Sequence, residues 1–388
     1  MDKTIILGND GWYPQVDGGT NVVKYYRENL RSEFECEIVV PSYGKKFDEE
    51  GEERYCGGVF HNFSLGVPFL SFRNSMPGHD KKLKKFLDEK HPVLLHAHSP
   101  FAICGYFIKY AKKHNIPVVY TFHTRFKDEF MRVTHSRLIT AVMMGVIMRN
   151  IRRADYVWAV SGKAAETLRE YGFNGEIKVM PNGTDMRVLT TRQAAEYSAR
   201  FSKEHDISPN ERIFVYAGRV VSVKNLKFSF EVIAELKRRG HRCKFFVVGG
   251  GDELEEHKKL AEKLGVGDEV IFTGFVGDRE ILRGYYCRAD LMLFPSVFDT
   301  FGLVVQEAAS CHTPAFVPEN SCAAELVEDG KTGYCAPLDV NLWADRIEGI
   351  FADENFAIVR ENCASMVCTW REAVDMAVAE YIEILKNY

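Results

Sequence analysis

Short β-branched apolar runs alternate with amphipathic helical stretches from one end of the chain to the other, and this alternation restricts the fold more than any other feature. In the first half the strand candidates are residues 4–7, 36–40, 93–98, 118–123, 156–160 and 177–180. In the second half they are residues 213–217, 245–248, 270–273, 291–294 and 314–317. Continuous apolar strands separated by helices belong to parallel sheets covered on both faces. Eleven such strands exceed a comfortable single sheet, and 388 residues suit two or three domains. The expected class is α/β, with two Rossmann-like, doubly wound domains facing a cleft. The turn-forming cluster Pro181-Asn-Gly-Thr-Asp185, followed by a polar stretch over 186–210, marks the break between them. The expected division is 1–185, 186–368 and a closing segment, 369–388.

Composition narrows the function classes. A formal net charge of −4 gives no reason to expect nucleic-acid binding. The ten cysteines are scattered, with no CxxC pair and no metal-ligand spacing, so they read as thiols in a reducing compartment. The start runs straight into a strand without a signal-like apolar region, and residues 138–148, the longest apolar run, are too short to span a bilayer. A cytoplasmic protein, peripheral on a membrane at most, is expected.

The richest segment is Phe294-Pro-Ser-Val-Phe-Asp-Thr-Phe-Gly-Leu-Val-Val-Gln-Glu-Ala-Ala309. A strand ends at Pro295, a loop carries Asp299, and Phe301-Gly302-Leu303 opens a helix that carries Glu307. The first amides of a helix have no intrahelical acceptor and point at whatever lies before them. A pyrophosphate fits there, with Asp299 near the attached sugar and Glu307 behind, which suits a nucleotide-sugar donor.

Other strand ends carry chemistry too. Gly18 and Gly19 precede the helix at 22–30 and let the backbone approach a ligand, a tight turn being the competing reading. They are not part of GxGxxG, and no acidic residue ends the next strand, which counts against a nicotinamide cofactor. His98 and His123 end two strands and are placed at the cleft, whereas His96 reads as packing. Metal binding by these residues lacks a helix-spaced ligand pair.

In the second half, Arg219 and Lys224 lie five residues apart between a strand end and a helix start. There they can hold a diphosphate and neutralise its departing charge. Phe275 can meet a flat base, loop packing being the alternative. Lys81, Lys82, Lys84 and Lys85 surround Leu83, Phe86 and Leu87 on one helical face, downstream of Phe69, Leu70, Phe72, Arg73 and Met76. That patch suits an anionic lipid surface; a solvated helix docked on its own sheet is the other account.

In this order the motifs resemble a retaining, family 4 glycosyltransferase of the two-domain GT-B architecture. The resemblance rests on Gly18-Gly19, His98, Tyr120-Thr-Phe-His123-Thr, Val179-Met-Pro-Asn-Gly-Thr-Asp185, Gly218-Arg219 with Lys224, Gly249-Gly-Gly-Asp252, and Asp299 to Glu307. Within the family, His123-Thr-Arg-Phe-Lys-Asp-Glu-Phe130 is similar to bacterial diacylglycerol glucosyltransferases. The resemblance implies catalytic roles for His123, Arg219, Lys224 and Asp299. It implies donor contacts from Gly18, Gly19, Phe275, Phe301, Gly302, Leu303 and Glu307, with Glu307 on the ribose, and an acceptor side with His98 and Arg125. It further implies a last helix that crosses back to the first domain. Two departures stand out: Asp299 occupies a position usually held by glutamate, and His312 one where glycine is commoner.

The expected reaction is transfer of a hexose, glucose from UDP-glucose, to a lipid or sugar acceptor such as diacylglycerol. Retention also fits the lack of two opposed carboxylates. No cofactor is expected, since the nucleotide sugar is a co-substrate, and the absence of any Asp-x-Asp agrees with a metal-independent reaction. The rival readings are an epimerase, a sugar phosphorylase, and a non-catalytic nucleotide-sugar binding protein.

Overall fold

The computed structural model describes residues 3–13, 18–30, 33–44, 55–66 and 73–388. Two compact units emerge: Met1–Gly183 together with Trp370–Tyr388, and Thr184–Thr369.

The first unit opens with β1 (Thr4–Gly8), α1 (Gly18–Leu30), β2 (Glu35–Pro41), β3 (Tyr55–Cys56) and β4 (Val59–Asn62). A small hairpin follows, β5 (Ser64–Gly66) with β6 (Arg73–Ser75), then α2 (Lys81–Lys90), β7 (Leu94–Ala97) and α3 (Ala102–His114). The unit continues through β8 (Val118–Phe122), α4 (Phe126–Thr134), α5 (Arg137–Ile151), β9 (Tyr156–Ala159), α6 (Gly162–Glu170) and β10 (Lys178–Val179). Its main sheet runs β10-β9-β8-β7-β1-β2-β4-β3, parallel except for the β3 edge. The chain winds outward from β1 through β2 to β4, then returns to β7 on the other side of β1. That reversal leaves a crevice at the carboxyl ends of β1 and β7, where ligands bind in open α/β sheets.

The second unit contains α7 (Thr191–Glu204), β11 (Arg212–Ala217), α8 (Leu226–Arg238), β12 (Cys243–Val248), α9 (Leu254–Lys263) and β13 (Val270–Gly274). It continues with α10 (Arg279–Arg288), β14 (Leu291–Leu293), α11 (Leu303–Ser310), β15 (Ala315–Pro318), β16 (Tyr334–Ala336), α12 (Val340–Ala352) and α13 (Phe356–Asn362). The sheet order β13-β12-β11-β14-β15-β16 is the Rossmann order, with its switch point between β11 and β14. Ile213 to Tyr216 are at most 1% exposed, as expected of a strand covered by helices on both faces. The Phe316 and Trp343 rings stack at 4.0 Å to hold α12 on the sheet.

The last helix, α14 (Trp370–Asn387), packs in the first unit. Ala373, Val374, Ala377, Tyr381 and Ile384 form a buried stripe at helical spacing. Trp370 stacks on Tyr25 of α1 at 5.1 Å, and Tyr381 stacks on Trp158 of β9 at 5.2 Å.

Both units are parallel-sheet α/β domains, the class that the alternating pattern implies. Five strands lie outside the eleven expected. β4 escaped notice because its second half is polar: Asn62 is fully buried and donates to the Val40 carbonyl oxygen at 3.1 Å. β16 is three residues long, and β3, β5 and β6 are short antiparallel pieces.

The lysine-rich segment forms α2, capped by Asp80, whose carboxylate accepts from the amides of Lys82 and Leu83. Leu83, Phe86 and Leu87 turn inward, and Phe86 stacks on Phe60 of β4 at 4.8 Å. This apolar face is spent on the helix's own sheet and is closed to a lipid surface. Lys81, Lys82, Lys84 and Lys85 are exposed, with Lys84 paired to Asp88 at 2.5 Å and Lys85 to Glu89 at 3.5 Å. Phe69, Leu70 and Phe72 lie outside the described residues.

Candidate active site

In the second unit, the loops leaving β11, β12 and β13 are knitted together at the carboxyl edge of the sheet. The Val220 amide donates to the Gly250 carbonyl oxygen at 2.9 Å, and the Ser222 amide donates to the Glu253 carboxylate at 2.7 Å. Gly249 sits at φ +150°, and a Cβ there would lie 1.8 Å from the Gly218 carbonyl oxygen, so only glycine allows this approach. The Tyr216 hydroxyl donates to the Arg219 carbonyl oxygen at 3.0 Å, bracing the loop that carries the exposed Arg219 side chain. Phe275, just past β13, is 84% exposed.

Lys224 ends a short 3-10 turn after β11, and Asp299 lies in the loop after β14, so the two flank the switch point. The Lys224 ammonium donates to Asp299 Oδ1. Asp299 Oδ2 is buried and has no hydrogen-bond partner among the described residues. Gly302 caps α11 in the left-handed conformation (φ +90°) and has no side chain to offer the first amides of the helix, of which that of Val305 turns back to the Gly302 carbonyl oxygen at 2.9 Å. Phe301 is buried at 5% exposure, and Leu303 is half-buried.

One turn along α11, Glu307 is buried, with each carboxylate oxygen accepting one hydrogen bond. Its Oε1 accepts from Arg279 Nη1 at 2.9 Å and its Oε2 from the Tyr286 hydroxyl at 3.0 Å. Arg279 also donates through Nη2 to Asp185 Oδ1 at 2.6 Å. Burial pushes the Glu307 carboxyl up, and the Arg279 guanidinium partly offsets this. Nothing in the sequence singles out Arg279: its two partners lie 94 and 28 residues away. The only local signal is its place at the start of α10, behind the Asp278 cap. His312 adopts φ +60°, which explains why glycine is commoner at that position, and its ring bonds the Leu189 carbonyl at 2.7 Å.

In the first unit, three imidazoles gather at the carboxyl end of β7 and β8. His98 Nδ1 and His123 Nε2 share a hydrogen bond at 2.9 Å, and their rings stack at 5.2 Å. His96 is fully buried between the Tyr381 hydroxyl (2.5 Å) and Thr121 Oγ1 (2.7 Å), in keeping with its packing role. Burial drives all three rings toward the neutral form, His123 down to about 3. They therefore act as neutral hydrogen-bonding groups, not cations, at neutral pH. Arg125 is tied to Asp128 at 2.8 Å. Gly18 and Gly19 open α1, and a Cβ at Gly18 would meet nothing within 4 Å.

Asp10, beside this crevice, was not anticipated. Its carboxylate accepts from the Ser99 hydroxyl at 2.8 Å and from the Ile103 amide at 3.3 Å, at the start of α3. Burial lifts its carboxyl to about 6. Among the described residues no group of three or more His, Cys, Asp or Glu could hold a metal ion.

Comparison with known proteins matches each half to a family. Residues 16–188 match the model for Glycosyltransferase Family 4, and residues 198–366 match that for Glycosyl transferases group 1. The alpha-monoglucosyldiacylglycerol synthase of Streptococcus pneumoniae is 23% identical over 332 residues, covering 84% of this chain and 74% of the relative. The N-acetyl-alpha-D-glucosaminyl L-malate synthase of Bacillus anthracis is 27% identical over 342 residues, covering 82% and 84%. Among solved structures, Anabaena Alr3699/HepE in complex with UDP and glucose superposes with a TM-score of 0.73 at 18% identity, covering 98% of this chain and 99% of that one. That likeness is one of fold, the GT-B arrangement of two α/β domains.

Proposed function

Because the chain belongs to the glycosyltransferases, joining a family 4 half to a group 1 half, we propose that it is a retaining, metal-independent hexosyltransferase. In this reading it moves glucose from UDP-glucose to a membrane lipid such as diacylglycerol, working at the cytoplasmic face of the membrane. The observation that carries the reading is the ion pair of Lys224 with Asp299 at the switch point of the second sheet.

Lys224 and the neighbouring Arg219 are assigned to the donor diphosphate. As the glycosidic bond breaks, negative charge grows on the leaving phosphate, and two preset cations lower the barrier without a divalent ion. The first amides of α11, after Gly302, add donors to the same group. Asp299, with one oxygen unengaged, is assigned to the sugar and to the positive charge that builds on its ring. Glu307 retains lone pairs beyond its bonds to Arg279 and Tyr286, enough to accept from ribose hydroxyls. Phe275 offers an exposed ring for the base. In the first unit, neutral His123 is assigned to a sugar hydroxyl, and His98 to holding its tautomer.

The name of the Streptococcus pneumoniae relative supports a diacylglycerol-type acceptor and an α linkage, which matches retention from an α-linked donor. The name of the Bacillus anthracis relative carries an N-acetylglucosaminyl group on malate, so UDP-N-acetylglucosamine and soluble acceptors belong in the same test. Purified protein is incubated with UDP-, GDP- and ADP-sugars and with diacylglycerol micelles or soluble acceptors. Products are read by mass spectrometry, and the anomeric configuration by NMR. An α-glucosyl lipid formed equally well in EDTA is expected. A β-linked product would reject retention, a chelator-sensitive rate would reject metal independence, and transfer only to soluble acceptors would reject the lipid.

A further inference from the structure

Helix α5, Arg-Leu-Ile-Thr-Ala-Val-Met-Met-Gly-Val-Ile-Met-Arg-Asn-Ile over Arg137–Ile151, is apolar on all sides yet covered on only one. Its inner face is set by Thr140, Ile147, Met148, Asn150 and Ile151, with Asn150 donating to the Pro100 and Phe101 carbonyl oxygens at 2.9 and 3.1 Å. On the outer face Leu138 is 76% exposed, Val142 62% and Val146 46%, four residues apart along one line, with Ile139 beside them at 49%. Val133, near the end of α4, is 54% exposed. Among the described residues, no other stretch of that length exposes more than three large apolar side chains. A helix apolar all round is normally buried, and a contiguous exposed patch of this kind marks an interaction surface.

Charge identifies what covers it. Residues 125–153 hold seven Arg and Lys against two Asp and Glu, in a chain whose total is 50 against 54. Helix α5 itself carries no acidic residue, and exposed Arg137 and Arg149 bracket the apolar line. A second copy of the same face, laid antiparallel on this one, would bring arginine against arginine, which disfavours self-association. An anionic bilayer satisfies both features: acyl chains take the apolar line and headgroup phosphates take the arginines. At 1.5 Å per residue the helix is about 22 Å long, too short to cross the roughly 30 Å hydrocarbon core, and none of the helices described is long and apolar enough to do so.

We propose that the outer face of α5, with Val133 of α4, is the surface by which this protein lies on an anionic membrane. The proposal rests on the reading that the acceptor is a lipid. It places the apolar contact on α5 rather than on α2, whose own apolar side is buried.

The test is co-sedimentation with vesicles of phosphatidylglycerol and phosphatidylcholine, and of phosphatidylcholine alone. Wild type is expected to bind the anionic vesicles. The triple variant Leu138→Gln, Val142→Gln, Val146→Gln is expected to bind them at least tenfold more weakly. The pair Arg137→Gln, Arg149→Gln is expected to lose severalfold on anionic vesicles only. Donor turnover in detergent, read as UDP release with a soluble or micellar acceptor, is expected to be unchanged in both. Gln at Lys81, Lys82, Lys84 and Lys85 is expected to weaken binding less than the triple variant. The proposal is overturned if wild type ignores anionic vesicles, if the triple variant binds like wild type, or if the α2 variant alone loses binding. It is also overturned if the triple variant dissociates a wild-type dimer while keeping its vesicle binding. Vesicle binding without any sugar-nucleotide turnover would leave this surface standing and reject the transferase reading instead.

Discussion

The Lys224 ammonium is held by one oxygen of Asp299, and the other oxygen of that carboxylate is buried without a partner. The pair aims the ammonium before any ligand arrives and leaves half of the carboxylate's hydrogen-bonding capacity unused. Both side chains are less than one-fifth exposed, so the interaction is only weakly screened. Asp299→Ala is expected to cost about 1–3 kcal/mol of stability by stranding Lys224, and to lower kcat at least tenfold. Chemical denaturation and steady-state rates check this; an unchanged midpoint and rate would contradict it.

Arg279 joins two carboxylates, Asp185 and Glu307, and only Glu307 is deeply buried. Arg279→Ala leaves Glu307 with the Tyr286 hydroxyl alone. A loss of about 2 kcal/mol is expected, below the figure for a fully buried pair because the guanidinium is 42% exposed. The sign of its pH dependence follows from the raised folded carboxyl of Glu307. Such a group stabilises below its unfolded value and loses that contribution as pH rises through the folded one, and removing Arg279 raises the folded value further. The penalty should therefore be larger at pH 7 than at pH 4, as thermal unfolding at the two values will show.

The His98 and His123 rings are predicted to stay neutral across the physiological range. With folded values depressed, their stabilising effect is present above the ordinary histidine range and is lost as pH falls toward about 3 for His123. In NMR titrations their Cε1 protons should hold the neutral position between about pH 5 and 8. A midpoint near 6.5 for either ring would show that it is solvated and not held as described.

Asp10 works in the opposite direction. Its folded carboxyl is lifted from 3.8 to about 6 by burial, so its favourable contribution is complete at low pH and lost as pH rises through 6. Relative to Asp10→Asn, the stability of wild type should fall by about 2 kcal/mol between pH 4 and pH 7. A difference between the two proteins that does not vary with pH would show that Asp10 is hydrated.

How much was legible in the sequence follows from how local each signal is. The runs over Ile213 to Ala217 and Phe245 to Val248 are continuous apolar strands, and their covered faces in the structure are what such runs require. Asp299, Gly302 and Glu307 could be placed on a loop and a helix because nine consecutive positions carry all three. Arg279 and Asp10 could not be found this way. Arg279 matters only once the fold brings Asp185 and Glu307 to it, and Asp10 is held by Ser99 and Ile103, 89 and 93 residues on. Periodicity showed that α2 has an apolar stripe but not what the stripe faces, and its target proved to be β4. The converse holds for α5, whose composition suggests an interior helix while its outer face stands open.

In the proposed reaction a nucleoside diphosphate sits at the switch point between β11 and β14, with Arg219 and Lys224 taking its charge. Calorimetric titration of UDP into wild type, Arg219→Ala and Lys224→Ala measures it directly. Saturable binding by wild type, weakened at least tenfold in each variant while the variants remain folded, is the predicted result. No heat with wild type, or equal affinity in all three proteins, would contradict the account.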